Sequence, residues 1–168
     1  MTQMETKEQN SPSLIVTSAN ALIQLANMEN DEIHLLTGFD VTVIPDMVRH
    51  ELALRVTELG AKKCLDFLRE REYLIRIGST ETYEEFLLIQ SLRPETAIFD
   101  RVDLNSRSEI AADELLTREL EWCDTDEIMM LFADGQGHKN CLREPPKNVT
   151  FVSLSNLLTM EGYTLTKS

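Results

Sequence analysis

The feature that most constrains this chain is the alternation of short, β-branched apolar runs with longer segments whose apolar residues recur at helical spacing. Leu14 to Val16, Val41 to Ile44, Leu74 to Ile77, Ile128 to Phe132 and Val149 to Val152 are the apolar runs. A short continuous apolar run bounded by polar or turn residues suits a strand buried on both faces. Between the runs, helical spacing appears from Ala19 through Leu22, Ile23 and Ala26, and in the short stretch from Asp31 to Thr37. It recurs at Val48, Leu52, Val56 and Leu59, at Cys64, Leu65 and Leu68, and from Thr82 to Leu92 with Phe86, Leu87 and Ile89. Ile110, Leu115, Leu116 and Leu120 form a further helical set, and Leu157, Leu158 and Met160 a closing one. Strands that alternate with helices imply an α/β fold: three α/β/α layers around a mainly parallel sheet of about five strands.

Local punctuation supplies the expected boundaries. Gly38 is placed to stop the helical piece before it, Pro45 to occupy the first turn of the next helix, and Gly60 to end that helix. Ser106 and Glu109 have the spacing of a capping box and predict a helix that opens there and runs to about Trp122. Ser153 or Ser155 caps the closing helix. Residues 1 to 12 are polar and read as a disordered lead-in, which leaves 13 to 168 as a single domain. With 168 residues, 42% of them hydrophobic, such a domain builds a core without metal or disulfide staples.

Charge and cysteine content narrow the function classes. A formal net charge of -13 argues against broad electrostatic binding of nucleic acid, which depends on lysine and arginine displacing counterions. It is compatible with a basic protein partner, and with a nuclease whose metal site is itself acidic. Cys64, Cys123 and Cys141 are an odd, widely spaced set with no zinc-type pattern, and read as reduced thiols. No apolar run approaches the length of a membrane span, and the opening residues have no apolar signal-peptide core, so a cytoplasmic location is expected. His34, His50 and His138 are scattered without a neighbouring nucleophile, and Asp-Gly-Gln-Gly at 134 to 137 lacks the lysine and hydroxyl residue of a phosphate-binding loop.

In parallel sheets ligands bind beyond the carboxyl ends of the strands, where the connections diverge. That rule singles out Ser18 and Asn20 after the first strand and Asp134 after the Ile128 to Phe132 run.

Taken in order, these pieces resemble the PIN-domain family, from about Leu14 to Tyr163. Ile-Val-Thr-Ser-Ala-Asn-Ala-Leu-Ile at 15 to 23 matches the first motif, with Ser18 where the family has aspartate. Val-Ile-Pro-Asp-Met-Val-Arg-His-Glu-Leu at 43 to 52 matches the second and aligns Glu51 with the family's glutamate. The third acid is Glu109 or Asp113, and the fourth is Asp134, closing Met-Met-Leu-Phe-Ala-Asp. The resemblance implies a metal-dependent ribonuclease, in many cases the toxin of a toxin–antitoxin pair. Glu51, Glu109, Asp113 and Asp134 would then gather Mg²⁺ or Mn²⁺, with Ser18 and Asn20 lining the site. It further implies RNA as substrate, an antitoxin-like protein as partner, and a homodimer formed through helices.

The chemistry would be activation of a water by the metal and stabilisation of charge on the phosphate, which requires hard oxygen ligands. Each residue also has a plain reading. Glu51 stands four residues before Arg55, a spacing typical of a solvated ion pair. Glu109 is accounted for by the capping box, and Asp134 by a turn with Gly135. Ser18 replaces a carboxylate with a hydroxyl, so Asp126 or a water would have to substitute, or the domain has become a catalytically silent interaction module.

Overall fold

A computed structural model describes residues 13–92, 101–122, 127–133 and 148–160. Five strands, β1 (Ser13–Val16), β2 (Thr42–Pro45), β3 (Ile75–Gly78), β4 (Ile128–Phe132) and β5 (Val149–Ser153), form one sheet in the order β3-β2-β1-β4-β5. Every neighbouring pair is parallel. The helices are α1 (Ala19–Ala26), α2 (Asp46–Leu54), α3 (Leu59–Glu70), α4 (Glu81–Leu92), α5 (Arg101–Trp122) and α6 (Leu154–Met160), with a 3-10 turn at Glu32–Thr37.

Strand pleating explains the layers. Successive side chains point to opposite faces, so Leu14, Val16, Ile44 and Leu131 face a core built with α1, α3 and α6. Ile15, Val43, Met130 and Phe132 face Ala112, Leu115 and Leu116 of α5. A third cluster, Met47, Phe86, Leu104 and Ala111, joins α2, α4 and α5 beside the sheet. The α/β/α layering with an all-parallel, five-stranded sheet is as the sequence implies.

Two expected boundaries are wrong, for identifiable reasons. Gly60 does not end a helix: α2 stops at Leu54, a turn follows, and Gly60 is the second residue of α3. There it permits close approach, since an added Cβ would lie 2.7 Å from the Ile23 carbonyl oxygen of α1. Val56 and Leu59, expected on a buried stripe, are 43% and 80% exposed in this turn and helix start. Nor do Ser106 and Glu109 cap a helix: α5 begins at Arg101, which leaves both in its interior. Their neighbours Asn105 and Ser108 make the polar contacts of this stretch, to Ser18 after β1 and to Glu51 of α2. At the last helix the choice resolves to Ser153, whose Oγ accepts the Asn156 N–H at 3.3 Å.

Candidate functional site

The strand order places the point where connections diverge at β1 and β4, which lie side by side at the centre of the sheet. Thr17 joins them: its N–H and its Oγ1 both donate to the Leu131 carbonyl, at 2.9 and 2.8 Å. Ser18 follows in extended conformation, fully buried, as the N-cap of α1, and its Oγ accepts the Asn20 N–H at 3.0 Å. A short polar residue suits this position because the first turn of a helix leaves its N–H groups without intrahelical acceptors. The same Oγ donates to Asn105 Oδ1 of α5 at 3.5 Å.

A second set of contacts centres on Arg55, the residue that ends α2. Its Nη1 donates to Asn20 Oδ1 at 2.7 Å and to Glu51 Oε2 at 3.5 Å. Its Nε and Nη2 form a two-pronged pair with Glu58 Oε2 and Oε1 at 2.9 and 3.0 Å. The planar guanidinium matches a carboxylate in this way and fixes orientation as well as charge. Its hydrogen bond to Glu58 holds the Arg55 pKa above the ordinary value; burial opposes that and Glu51 adds to it. Glu51 is 1% exposed and Arg55 10%, so the pair is not the solvated one its spacing suggested. From α5, Ser108 Oγ donates to Glu51 Oε1 at 3.2 Å.

The structure therefore brings Ser18, Asn20 and Glu51 into one hydrogen-bonded assembly through Arg55, Asn105 and Ser108. Glu109 and Asp113, a helical turn apart on α5, are both buried next to it in sequence, at 1% and 3% exposure. Asp134, the alternative Asp126, His138, Cys123, Cys141 and the lead-in of 1 to 12 lie outside the described residues. Asn105 and Ser108 had no place in the sequence reading, because a helix opened at Ser106 leaves one outside it and the other in a frayed first turn. Extended back to Arg101, the spacing of Asn105, Ser108, Glu109 and Ala112 marks a single face, which is the signal that would have found them.

Glu51, expected as a metal ligand, and Asn20, expected to line the site, already direct oxygens at Arg55 and Ser108. Mg²⁺ demands about six oxygens at roughly 2.0–2.1 Å in near-octahedral array. A guanidinium in contact with Asn20 Oδ1 and Glu51 Oε2 fills that space and repels a second cation. The described arrangement fits a guanidinium rather than a divalent metal. Among the described residues no three of His, Cys, Asp and Glu are grouped to hold a metal ion, a set that leaves out Asp134.

Near this assembly, His50 Nδ1 lies 2.9 Å from the Tyr83 hydroxyl and its ring stands edge-on to Phe86 at 5.1 Å between centroids. Burial pushes the His50 pKa below its ordinary value. Asp46, buried at the start of α2, accepts the Thr80 N–H at 2.9 Å and the Thr80 hydroxyl at 2.8 Å, tying the end of β3 to α2. These contacts hold the scaffold around α2 and leave the switch point to the Arg55 assembly. No family model matches the chain, and no curated protein matches it. No helix among the described residues is long and apolar enough to cross a membrane.

Proposed function

We propose that this chain is a catalytically silent, PIN-like α/β domain that works by binding a basic protein partner. The observation that carries this reading is the Arg55 guanidinium lodged between Asn20 Oδ1 and the buried Glu51, where the family pattern would have a metal. Ser18 supports it, since its hydroxyl is engaged in capping α1 and in contacting Asn105 and supplies no charge for a cation. The net charge of -13 favours a partner rich in lysine and arginine over RNA. A cytoplasmic location accords with the free, buried Cys64.

The other reading is a Mg²⁺- or Mn²⁺-dependent ribonuclease, of the toxin type, using Glu51, Glu109 or Asp113, and Asp134. What favours it is the burial of three carboxylates, Glu51, Glu109 and Asp113, on the facing helices α2 and α5. Titration of the protein with Mn²⁺ by calorimetry, alongside cleavage of a mixed single-stranded RNA, separates the two. The silent domain shows neither heat of binding nor cleavage. Cleavage that disappears in Asp134→Asn would establish the nuclease and reject the silent reading.

A further inference from the structure

We propose that the outer face of α4 is a docking surface for another protein, and that it receives an amphipathic helix whose apolar side chains are followed by lysines or arginines. The proposal rests on the reading of a basic protein partner and names the surface that receives it.

The helix Glu81–Leu92 reads Glu-Thr-Tyr-Glu-Glu-Phe-Leu-Leu-Ile-Gln-Ser-Leu, and only Phe86 is buried. That ring packs with Met47 of α2 and with Leu104 and Ala111 of α5. Residues one helical turn apart share a face, so Glu84, Leu88 and Leu92 form one ridge, with Glu81 and Glu85 on the row beside it. All five are exposed. Leu88 and Leu92 are 56% and 71% exposed, and Leu87 on the flank of the ridge is 41%. An exposed leucine standing alone is ordinary, but three on a helix that gives a single side chain to the core form an apolar face without a partner among the described residues.

The acids on this face are not consumed within the chain. Capping of α4 comes from α5, where the Glu114 carboxylate accepts the Glu81 N–H at 2.6 Å, the Thr82 N–H at 3.1 Å and the Thr82 hydroxyl at 2.9 Å. Glu51 and Glu58 meet Arg55, Asp66 meets Lys62, and Glu114 meets Arg118. Among the described residues no ion pair or side-chain hydrogen bond engages the carboxylates of Glu81, Glu84 or Glu85. Like charges a turn apart repel, and a cation brought by a partner relieves that repulsion.

Charge selects the occupant. The helix contains no lysine or arginine and the chain carries a net charge of -13, so a second copy would bring the same acids with nothing on the ridge to neutralise them. A basic amphipathic helix sets apolar side chains into the grooves beside Leu88 and Leu92 and cations against the three glutamates, one to two turns away. Packed antiparallel, it presents those cations from its own C-terminal end, where the helix dipole favours them. At 1.5 Å per residue the ridge and its neighbouring row span about 16 Å, the length of three turns of a partner helix.

The test uses the full chain and a synthetic helical peptide of about 16 residues, with leucines one turn apart followed on the same face by lysines. A scrambled peptide of identical composition is the control. Binding is measured by calorimetry and located by amide chemical shifts. The ordered peptide should shift the amides of 81–92 and bind at least about tenfold more tightly than the scrambled one. Leu88→Gln with Leu92→Gln should weaken binding by more than about tenfold, and Glu84→Gln with Glu85→Gln by about threefold to tenfold. Glu70→Gln with Glu72→Gln removes the same charge at the end of α3 and should change binding by less than about twofold. Should the leucine pair disturb the fold, the exposed glutamate pair decides.

Absence of binding overturns the proposal, as does equal binding of the ordered and scrambled peptides. So does a dimer of the unsubstituted protein in sedimentation that Leu88→Gln with Leu92→Gln dissolves, since a second copy then covers the face. Peptide binding that ignores every substitution on α4 rejects this surface and leaves the basic-partner reading standing. RNA cleavage by the unsubstituted protein is a different failure: it rejects the silent-domain reading, and is scored in a separate assay.

Discussion

Replacing Gly60 with alanine tests how the scaffold holds Asn20 against Arg55. At an exposed helical position glycine to alanine stabilises by about 1 kcal/mol. At Gly60 the added Cβ would lie 2.7 Å from the Ile23 carbonyl oxygen, 2.8 Å from Ile23 Cγ2 and 2.8 Å from Asn27 Nδ2. Restoring an ordinary 3.4 Å contact to a backbone oxygen that no rotamer change can move requires α1 and α3 to part by about 0.7 Å, the difference between 3.4 and 2.7 Å. Overpacking of that kind costs about 1–3 kcal/mol. Because Gly60 sits in the first turn, the offsetting propensity gain falls short of its full value, and a net loss of about 1–2 kcal/mol follows. The melting temperature should then fall by roughly 2–8 °C for a chain of this size. Gly38 is the control: its nearest neighbour to an added Cβ is a single oxygen at 3.5 Å, and its φ of -93° is open to any residue, so Gly38→Ala should stay within about 0.5 kcal/mol. Urea unfolding followed by circular dichroism measures both. A Gly60→Ala protein as stable as the original, with unchanged denaturant dependence, would refute the close-approach argument.

Three further outcomes are expected. Burial pushes the Cys64 thiol up to about 12, so in native protein at pH 8 the Cys64 peptide should resist iodoacetamide and become labelled only in denaturant, as read by mass spectrometry. Burial lowers the folded-state pKa of His50 below its ordinary value near 6.5, so the unfolded chain takes up this proton first. The corresponding stability is present above about pH 6.5 and is lost as pH falls below it; His50→Phe should flatten that part of a stability–pH curve, and an unchanged slope would count against the assignment. Ser18→Asp retains a good helix cap but places a carboxylate at a position with 0% exposure. It should cost roughly 3 kcal/mol in EDTA at pH 7, and equal stability of the two proteins by urea unfolding would sink the electrostatic account of Ser18.

The sheet was legible in the sequence because burial on both faces leaves near-continuous apolar runs, and Ile15 and Leu131 could belong nowhere else. The helix limits were less so. Gly60 reads as a stop because glycine is a poor helix former, yet here its missing side chain serves the packing of α1 on α3, a tertiary reason invisible along the chain. Ser106 and Glu109 satisfied a local rule for a helix start, while the fold uses their neighbours Asn105 and Ser108 as polar contacts across a helix interface. Spacing alone identified Glu51 and Arg55 as a pair. It could not tell a solvated pair from a buried one, since that depends on Asn20, Glu58 and Ser108 arriving from three other segments.

Ser18 and Arg55 answer to the same electrostatic demand from opposite sides. A carboxylate taken out of water needs a positive charge or hydrogen-bond donors close by, and Glu51 receives both, from Arg55 and Ser108. A charged group at position 18 would add a second demand at the same place, with the guanidinium already divided between Glu51 and Glu58. A hydroxyl meets the capping requirement of α1 without that charge, and Asn105 Oδ1 accepts its proton. The uncharged cap and the internal cation are therefore consistent only with each other. A carboxylate placed at position 18 with Arg55 kept overloads the site with negative charge, and removing Arg55 while keeping Ser18 leaves Glu51 and Glu58 without the guanidinium between them. A single substitution at either position therefore reports on the whole arrangement.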